Sequence, residues 1–245
     1  MVMSGALLIS DHVVVVTGGA RGLSAEMVRA AAGQVTRVVI GYRNSADAAR
    51  TLADEIGDQA VVIAADITDR AAVDSMIDSA TDHFDHPITA VVTNALPDYS
   101  FNGDARSHAD DLTVAELDAQ LCGIVGGALT TVQASLPGLR ACGAGRIVTI
   151  GTNLVQNPVV PYHDYTAAKA ALPALTRTLS AAAGISVTMV PGGLLCTTDA
   201  IVASTPRRSV TTPREFADAV LFFRSPWTRA VTGQNPIVDG ALVKN

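Results

Sequence analysis

"VVVVTGGARGLSAEMV", residues 13–28, is the stretch on which the fold depends. Four consecutive valines suit a strand buried on both faces of a parallel sheet, because such a strand has no solvent face to alternate with. Gly18 and Gly22 punctuate a short turn, and "GLSAEMVRAAAG" (22–33) then has the spacing of a helix. A tight glycine turn between a buried strand and a helix lets backbone N–H groups at the helix N-terminus approach a pyrophosphate. A plain turn that packs the helix closely on the strand is the other reading of the same glycines.

Outward from this turn the same rhythm continues. Apolar, β-branched runs predict strands near 12–17, 36–42, 60–65, 88–93, 145–151, 185–190 and 236–239, with helices over 22–33, 45–57, 69–84, 113–140, 165–184 and 212–225. Thr113 and Thr212 have the character of N-caps, and Gly33, Gly57 and Gly184 stand where helices should stop. Alternating β and α units imply an α/β, doubly wound, three-layer Rossmann-type fold with a parallel sheet of about seven strands, residues 1–245 forming one domain. Two irregular stretches, 96–111 and 194–210, follow strands at their carboxyl ends. That edge is where open parallel sheets bind ligands, so both are candidate pocket walls.

Composition narrows the partners. A net charge of −6 disfavours a nucleic-acid surface, which needs clustered Lys and Arg. The chain is 49% hydrophobic, yet no window approaches the roughly 18 unbroken apolar residues of a membrane span, and the N-terminus lacks an export-peptide pattern, so a cytoplasmic protein is expected. Cys122, Cys142 and Cys196 are odd in number and widely spaced, which reads as buried or semi-buried free thiols. His83 and His86 read as a solvated helix end before Pro87 rather than as metal ligands.

Only two of the 17 basic residues are lysines, and one of them, Lys169, stands four residues after Tyr165 in "YTAAKAAL" (165–172). On a helix that spacing puts both on one face. An ammonium beside a phenol is expected to stabilise the phenolate and lower its pKa from the usual ~10. Such a proton donor suits carbonyl reduction, in which the oxygen gains negative charge as hydride reaches carbon. "VVIGYRNS" (38–45) offers Tyr42 and Arg43 but no carboxylate to accept from a ribose 2′-OH, whereas Arg21 and Arg43 together suit a 2′-phosphate; NADPH is therefore expected over NADH.

These motifs resemble the short-chain dehydrogenase/reductase family. Its glycine signature T-G-x-x-x-G-x-G is matched from Thr17 to Gly22, with Ser24 in place of the last glycine. "ADITD" (65–69), "TNAL" (93–96), "GRIVTIGT" (145–152), Y-x-x-x-K, "PGG" (191–193) and "TGQNPIVDGAL" (232–242) follow in the family's order. The resemblance implies an oxidoreductase acting on CH–OH or C=O groups. Tyr165 would be its proton donor, Lys169 the activator and ribose ligand, and Thr152, thirteen residues before the tyrosine, the hydroxyl that orients the carbonyl. It implies a dinucleotide held by Gly18, Arg21, Gly22, Leu23, Tyr42, Arg43, Asp66, Ile67, Asn94, Ala95, Pro191, Gly192 and Leu194 as well as Tyr165 and Lys169. It also implies a homodimer or homotetramer. Ile124 stands where the family has a catalytic asparagine, and Leu96 replaces the glycine of N-N-A-G.

Leu154, Val155, Tyr162, His163 and the 194–210 stretch are expected to face the substrate, a small carbonyl compound of apolar or aromatic character. A nucleotide-binding relative without redox turnover, or a dehydratase or isomerase using the same site, are the alternatives.

Overall fold

The structure, a computed structural model, describes residues 8–34, 36–96, 99, 101, 107–193, 202–203, 205–206 and 208–243. Leu194, Cys196 and most of 194–210 lie outside these, as does part of 96–111.

Chain order is β1 (Val13–Thr17), α1 (Gly22–Ala32), β2 (Arg37–Tyr42), α2 (Ala46–Ile56), β3 (Ala60–Ala64), α3 (Arg70–Phe84) and β4 (Ala90–Thr93). After β4 come α4 (Val114–Gln120), a π-helical turn (Leu121–Gly126), α5 (Gly127–Ala141), β5 (Arg146–Thr152), α6 (His163–Ala182), β6 (Ser186–Gly192) and α7 (Pro213–Phe223). Sheet order is β3-β2-β1-β4-β5-β6, with every pair parallel.

The four valines explain the layering. Val14 and Val16 point to the layer built with Met27, Val28 and Phe216 of α1 and α7, while Val13 and Val15 point to the layer of Val73, Met76 and Val132 of α3 and α5. All four are 0–1% exposed, so period-2 alternation here distributes two cores rather than one core and one wet face. Thr113 and Thr212 close capping boxes with Glu116 and Glu215, as their positions predict.

Three expectations are corrected. The stretch 236–239 forms no seventh strand; Val238 makes a single parallel bridge to Gly192, donating its N–H to the Pro191 carbonyl at 2.9 Å. Pro236 has no N–H for a ladder, which keeps this edge to isolated bonds. Tyr165 is not the first residue of its helix, since α6 already begins at His163. Cys122 is exposed on the π-helical turn, because that segment turns its apolar face to α6, whereas Cys142 is half-buried and donates to the Leu139 carbonyl.

By length and composition alone the helical run Val114–Ala141 is apolar enough to cross a bilayer, but 44% of its most apolar window is buried, packed on α3, α6 and the sheet as a core helix. His83 packs edge-on against Phe84, and α3 ends at Asp85 with φ 47°.

At the amino edge of the sheet His12 is 1% exposed and shares Nδ1 with the Thr89 hydroxyl at 3.0 Å. Burial pushes its pKa down to about 4, and the positive charges of Arg224 and Arg146 push the same way. The folded pKa lies below the unfolded value, so the unfolded chain takes up the proton first and stability falls as pH drops from about 6.5 towards 4. The expected loss from this group is on the order of 3 kcal/mol. Urea unfolding at pH 7 and pH 4.5 should therefore show a smaller acid loss in His12→Asn than in the wild type, and equal losses would remove His12 as a cause.

Candidate active site

The strand order reverses between β1 and β4, and parallel sheets open a crevice at such a switch point. Thr17, the last residue of β1, ties its two sides together. Its Oγ1 accepts from the N–H groups of Asn94 (3.0 Å) and Ala95 (3.2 Å) just beyond β4. A cavity of about 910 Å³ runs from this crevice along the carboxyl ends of β2, β5 and β6.

Glycine is required at one point above all. Gly18 has φ +65°, and a Cβ there would sit 2.9 Å from the Ala95 Cα. Gly22 has φ +57° and opens α1, whose N-terminus receives no side-chain cap. Its first amides are thus available to an anion, and a phosphate fits this cradle. Ser24, at the departing position of the glycine signature, is 3% exposed, and its Oγ accepts from Asn94 Nδ2. The hydroxyl thereby fixes the amide of Asn94 over the start of α1.

Farther along the cavity Arg43 Nη1 lies 3.5 Å from Asp66 Oδ2, with both side chains about a third exposed. A pair that exposed is worth roughly 0–1 kcal/mol, so Asp66 holds Arg43 only loosely and a phosphate can compete for it. Hydrogen bonds from the Thr68 backbone and hydroxyl, with Arg43 adding to them, hold the Asp66 carboxyl below the usual carboxylate range. Capping of α3 falls instead to Asp69. Arg21, Gly22, Leu23, Tyr42, Ile67, Asn94, Ala95 and Gly192 line the same cavity. Pro191 does not: it is a buried strand residue among the described β6 positions, and its carbonyl is taken by Val238.

At the other end α6 brings Tyr165 and Lys169 against β5. Lys169 is 3% exposed; its Nζ donates to the Ile150 carbonyl at 2.7 Å and lies 5.7 Å from the centre of the Tyr165 ring. Thr152, at the end of β5, accepts from Leu154 N at 3.3 Å, and its hydroxyl favours the phenolate of Tyr165. The expectation of an acidified phenol is overturned. Burial pushes the Tyr165 phenol up to about 12, with only the Thr152 hydroxyl opposing it, and burial pushes Lys169 down to about 8. Desolvation wins because the ammonium bonds a carbonyl rather than the phenol, and both charged forms lose water.

Leu154 and Tyr162 line the cavity, but Val155 and His163 face a separate apolar groove beside the start of α6. Ile124 sits in the π-helical turn, 3% exposed, in an apolar cluster with Tyr165, Ala168 and Leu172; Leu96 packs against that cluster. Tyr99 and Phe101, from the stretch 96–111 expected as a pocket wall, line the cavity, and so do Asn153 and Phe216, which the sequence reading did not single out. The Tyr99 and Phe101 rings lie 5.0 and 5.4 Å from the Tyr165 ring. Asn153 Nδ2 donates to Asp239 Oδ2 at 3.0 Å, tying the "VDGAL" segment to the site.

A switch-point crevice with an uncapped, glycine-led helix on one side and a tyrosine–lysine helix on the other is the site of a Rossmann-type oxidoreductase. The model of the short chain dehydrogenase family matches residues 12–206, and the chain belongs to that family. It is 28% identical over 192 residues to an NADPH-dependent aldehyde reductase of Arabidopsis thaliana (73% of this chain, 69% of that one). It is 29% identical over 242 residues to versicolorin reductase of Emericella nidulans (96% and 88%). A short-chain dehydrogenase/reductase structure from Brucella melitensis superposes with a TM-score of 0.85 at 21% identity, covering 96% of this chain and 97% of that one, which shows the shared fold.

Proposed function

We propose that the protein is an NADPH-dependent carbonyl reductase acting on an apolar or aromatic ketone. The observation that carries this reading is that Thr152, Tyr165 and Lys169 line one cavity with the glycine turn. Gly18, Gly22 and the first amides of α1 would hold the pyrophosphate, Arg21 and Arg43 the 2′-phosphate, and Lys169 the nicotinamide ribose. When bound, the dinucleotide supplies hydride to the carbonyl carbon. Tyr165 gives its proton to the carbonyl oxygen, leaving an alcohol, and Thr152 holds that oxygen in line with the phenol. A phenol with its pKa near 12 is fully protonated at neutral pH, which suits a donor.

The test is NADPH oxidation in the presence of a ketone panel, together with dinucleotide affinity. Arg43→Ala is expected to raise the NADPH Kd by about 10–100-fold, the worth of a charge-assisted phosphate contact, and the NADH Kd by less than about threefold. Equal losses for the two would contradict the phosphate clamp.

Burial of Ile124 among apolar neighbours supports a second reading, a dinucleotide-binding protein without turnover, since isoleucine offers no hydrogen bond for relaying a proton to Lys169. Tight NADPH binding with no oxidation by any ketone would favour it.

A further inference from the structure

The chain is poor in aromatic residues, with five Phe, four Tyr and one Trp in 245. Six of these ten line the one cavity: Tyr42, Tyr99, Phe101, Tyr162, Tyr165 and Phe216. Every tyrosine of the protein is therefore spent there. Four of the rings pack on each other at the end where Tyr165 and Thr152 meet. Tyr99 and Phe101 are 4.9 Å apart, Phe101 and Tyr162 are 5.7 Å apart, and both Tyr99 and Phe101 reach the Tyr165 ring. Phe101 remains 56% exposed, although the Tyr162 hydroxyl donates to its carbonyl at 3.0 Å and holds its backbone in place. A large ring held at a cavity mouth in contact with water is stabilised when another apolar surface covers it.

Charge at this end is equally one-sided. Among the described lining residues the ionised groups are Arg21, Arg43 and Asp66, beside β1, β2 and β3, and Lys169, buried on the Ile150 carbonyl. Nothing described around Tyr99 and Phe101 would neutralise a carboxylate or phosphate.

We infer that the substrate is an uncharged, planar aromatic carbonyl compound, its ring seated against Tyr99 and Phe101 while its oxygen reaches Tyr165 and Thr152. This rests on the reductase reading and adds to it a selectivity that comes from ring contacts rather than from apolarity alone. Offset and edge-to-face ring pairs are favoured beyond the area they bury, and two such contacts amount to about tenfold in affinity or more.

The matched probes are 1-tetralone and 1-decalone, which share a ten-carbon bicyclic skeleton and differ in whether one ring is aromatic. Titration calorimetry on the protein saturated with NADP+ should give a Kd about tenfold lower for 1-tetralone, and this ratio should fall to about threefold in Tyr99→Leu, which keeps apolar volume and removes one of the two rings, and to near one when Phe101→Leu is added. Phe101→Leu is the second variant, read the same way where Tyr99→Leu does not fold. Equal affinities in the wild type, binding of neither ketone, or an unchanged ratio in variants that fold would overturn the inference. Parallel NADPH oxidation separates the two layers. A tenfold preference in binding with no oxidation upholds ring recognition and removes the reductase; oxidation of both ketones with equal affinities leaves the reductase and removes ring recognition.

Discussion

Tyr165→Phe should lower kcat for carbonyl reduction by about 10²–10⁴, the usual worth of a positioned general acid, while the NADPH Kd changes less than about threefold. The substitution deletes one oxygen and leaves the ring, so the packing with Tyr99 and Phe101 persists. What is lost is the hydroxyl of that ring, the group on which the Thr152 hydroxyl acts. Steady-state rates at saturating NADPH, with the thermal midpoint as a control for folding, check this. A variant that retains wild-type turnover would assign the proton to another group. In the reverse direction, alcohol oxidation needs the phenolate, which a pKa near 12 makes scarce at neutral pH. Oxidation should accordingly rise with pH across the range in which reduction is flat.

Gly18→Ala is the second large effect. At φ +65° an L side chain costs roughly 1–2 kcal/mol, and the new methyl would also stand 2.9 Å from the Ala95 Cα, so backbone must move. A total of about 2–4 kcal/mol of stability is expected to be lost. Binding should suffer more than stability does, because the displaced Ala95 and the turn itself are the two walls of the crevice at β1 and β4. A Kd for NADPH raised by about 100-fold or more, measured by fluorescence titration, is the expected result. Wild-type affinity in a folded Gly18→Ala protein would place the dinucleotide elsewhere.

How much of this was legible depends on whether a residue's role is set locally. The β1–α1 turn, the capping threonines and the four-residue spacing of Tyr165 and Lys169 depend on neighbours within one turn or strand, and periodicity reports them directly. Asp66 and Arg43 were each readable as site residues, but that they meet at 3.5 Å depends on β2 and β3 lying side by side. Tyr99 and Phe101 fall in the stretch 96–111 that was readable as a pocket wall from its place after β4, but an irregular stretch has no period, so their contact with the Tyr165 ring was not. The lost seventh strand was in principle visible in Pro236, which an apolar pattern over 236–239 outweighed.

The amino-acid order by itself determined the alternating α/β plan, the glycine turn and the identity of the tyrosine–lysine pair, since these follow from backbone freedom, side-chain period and residue type. Only the tertiary structure decided the ionisation of that pair. Adjacency on a helix suggested an ammonium that acidifies a phenol, but the folded chain withdraws both from water and turns the lysine to the Ile150 carbonyl. Burial is a property of the whole packed molecule, summed over segments far apart in sequence, and no local spacing contains it.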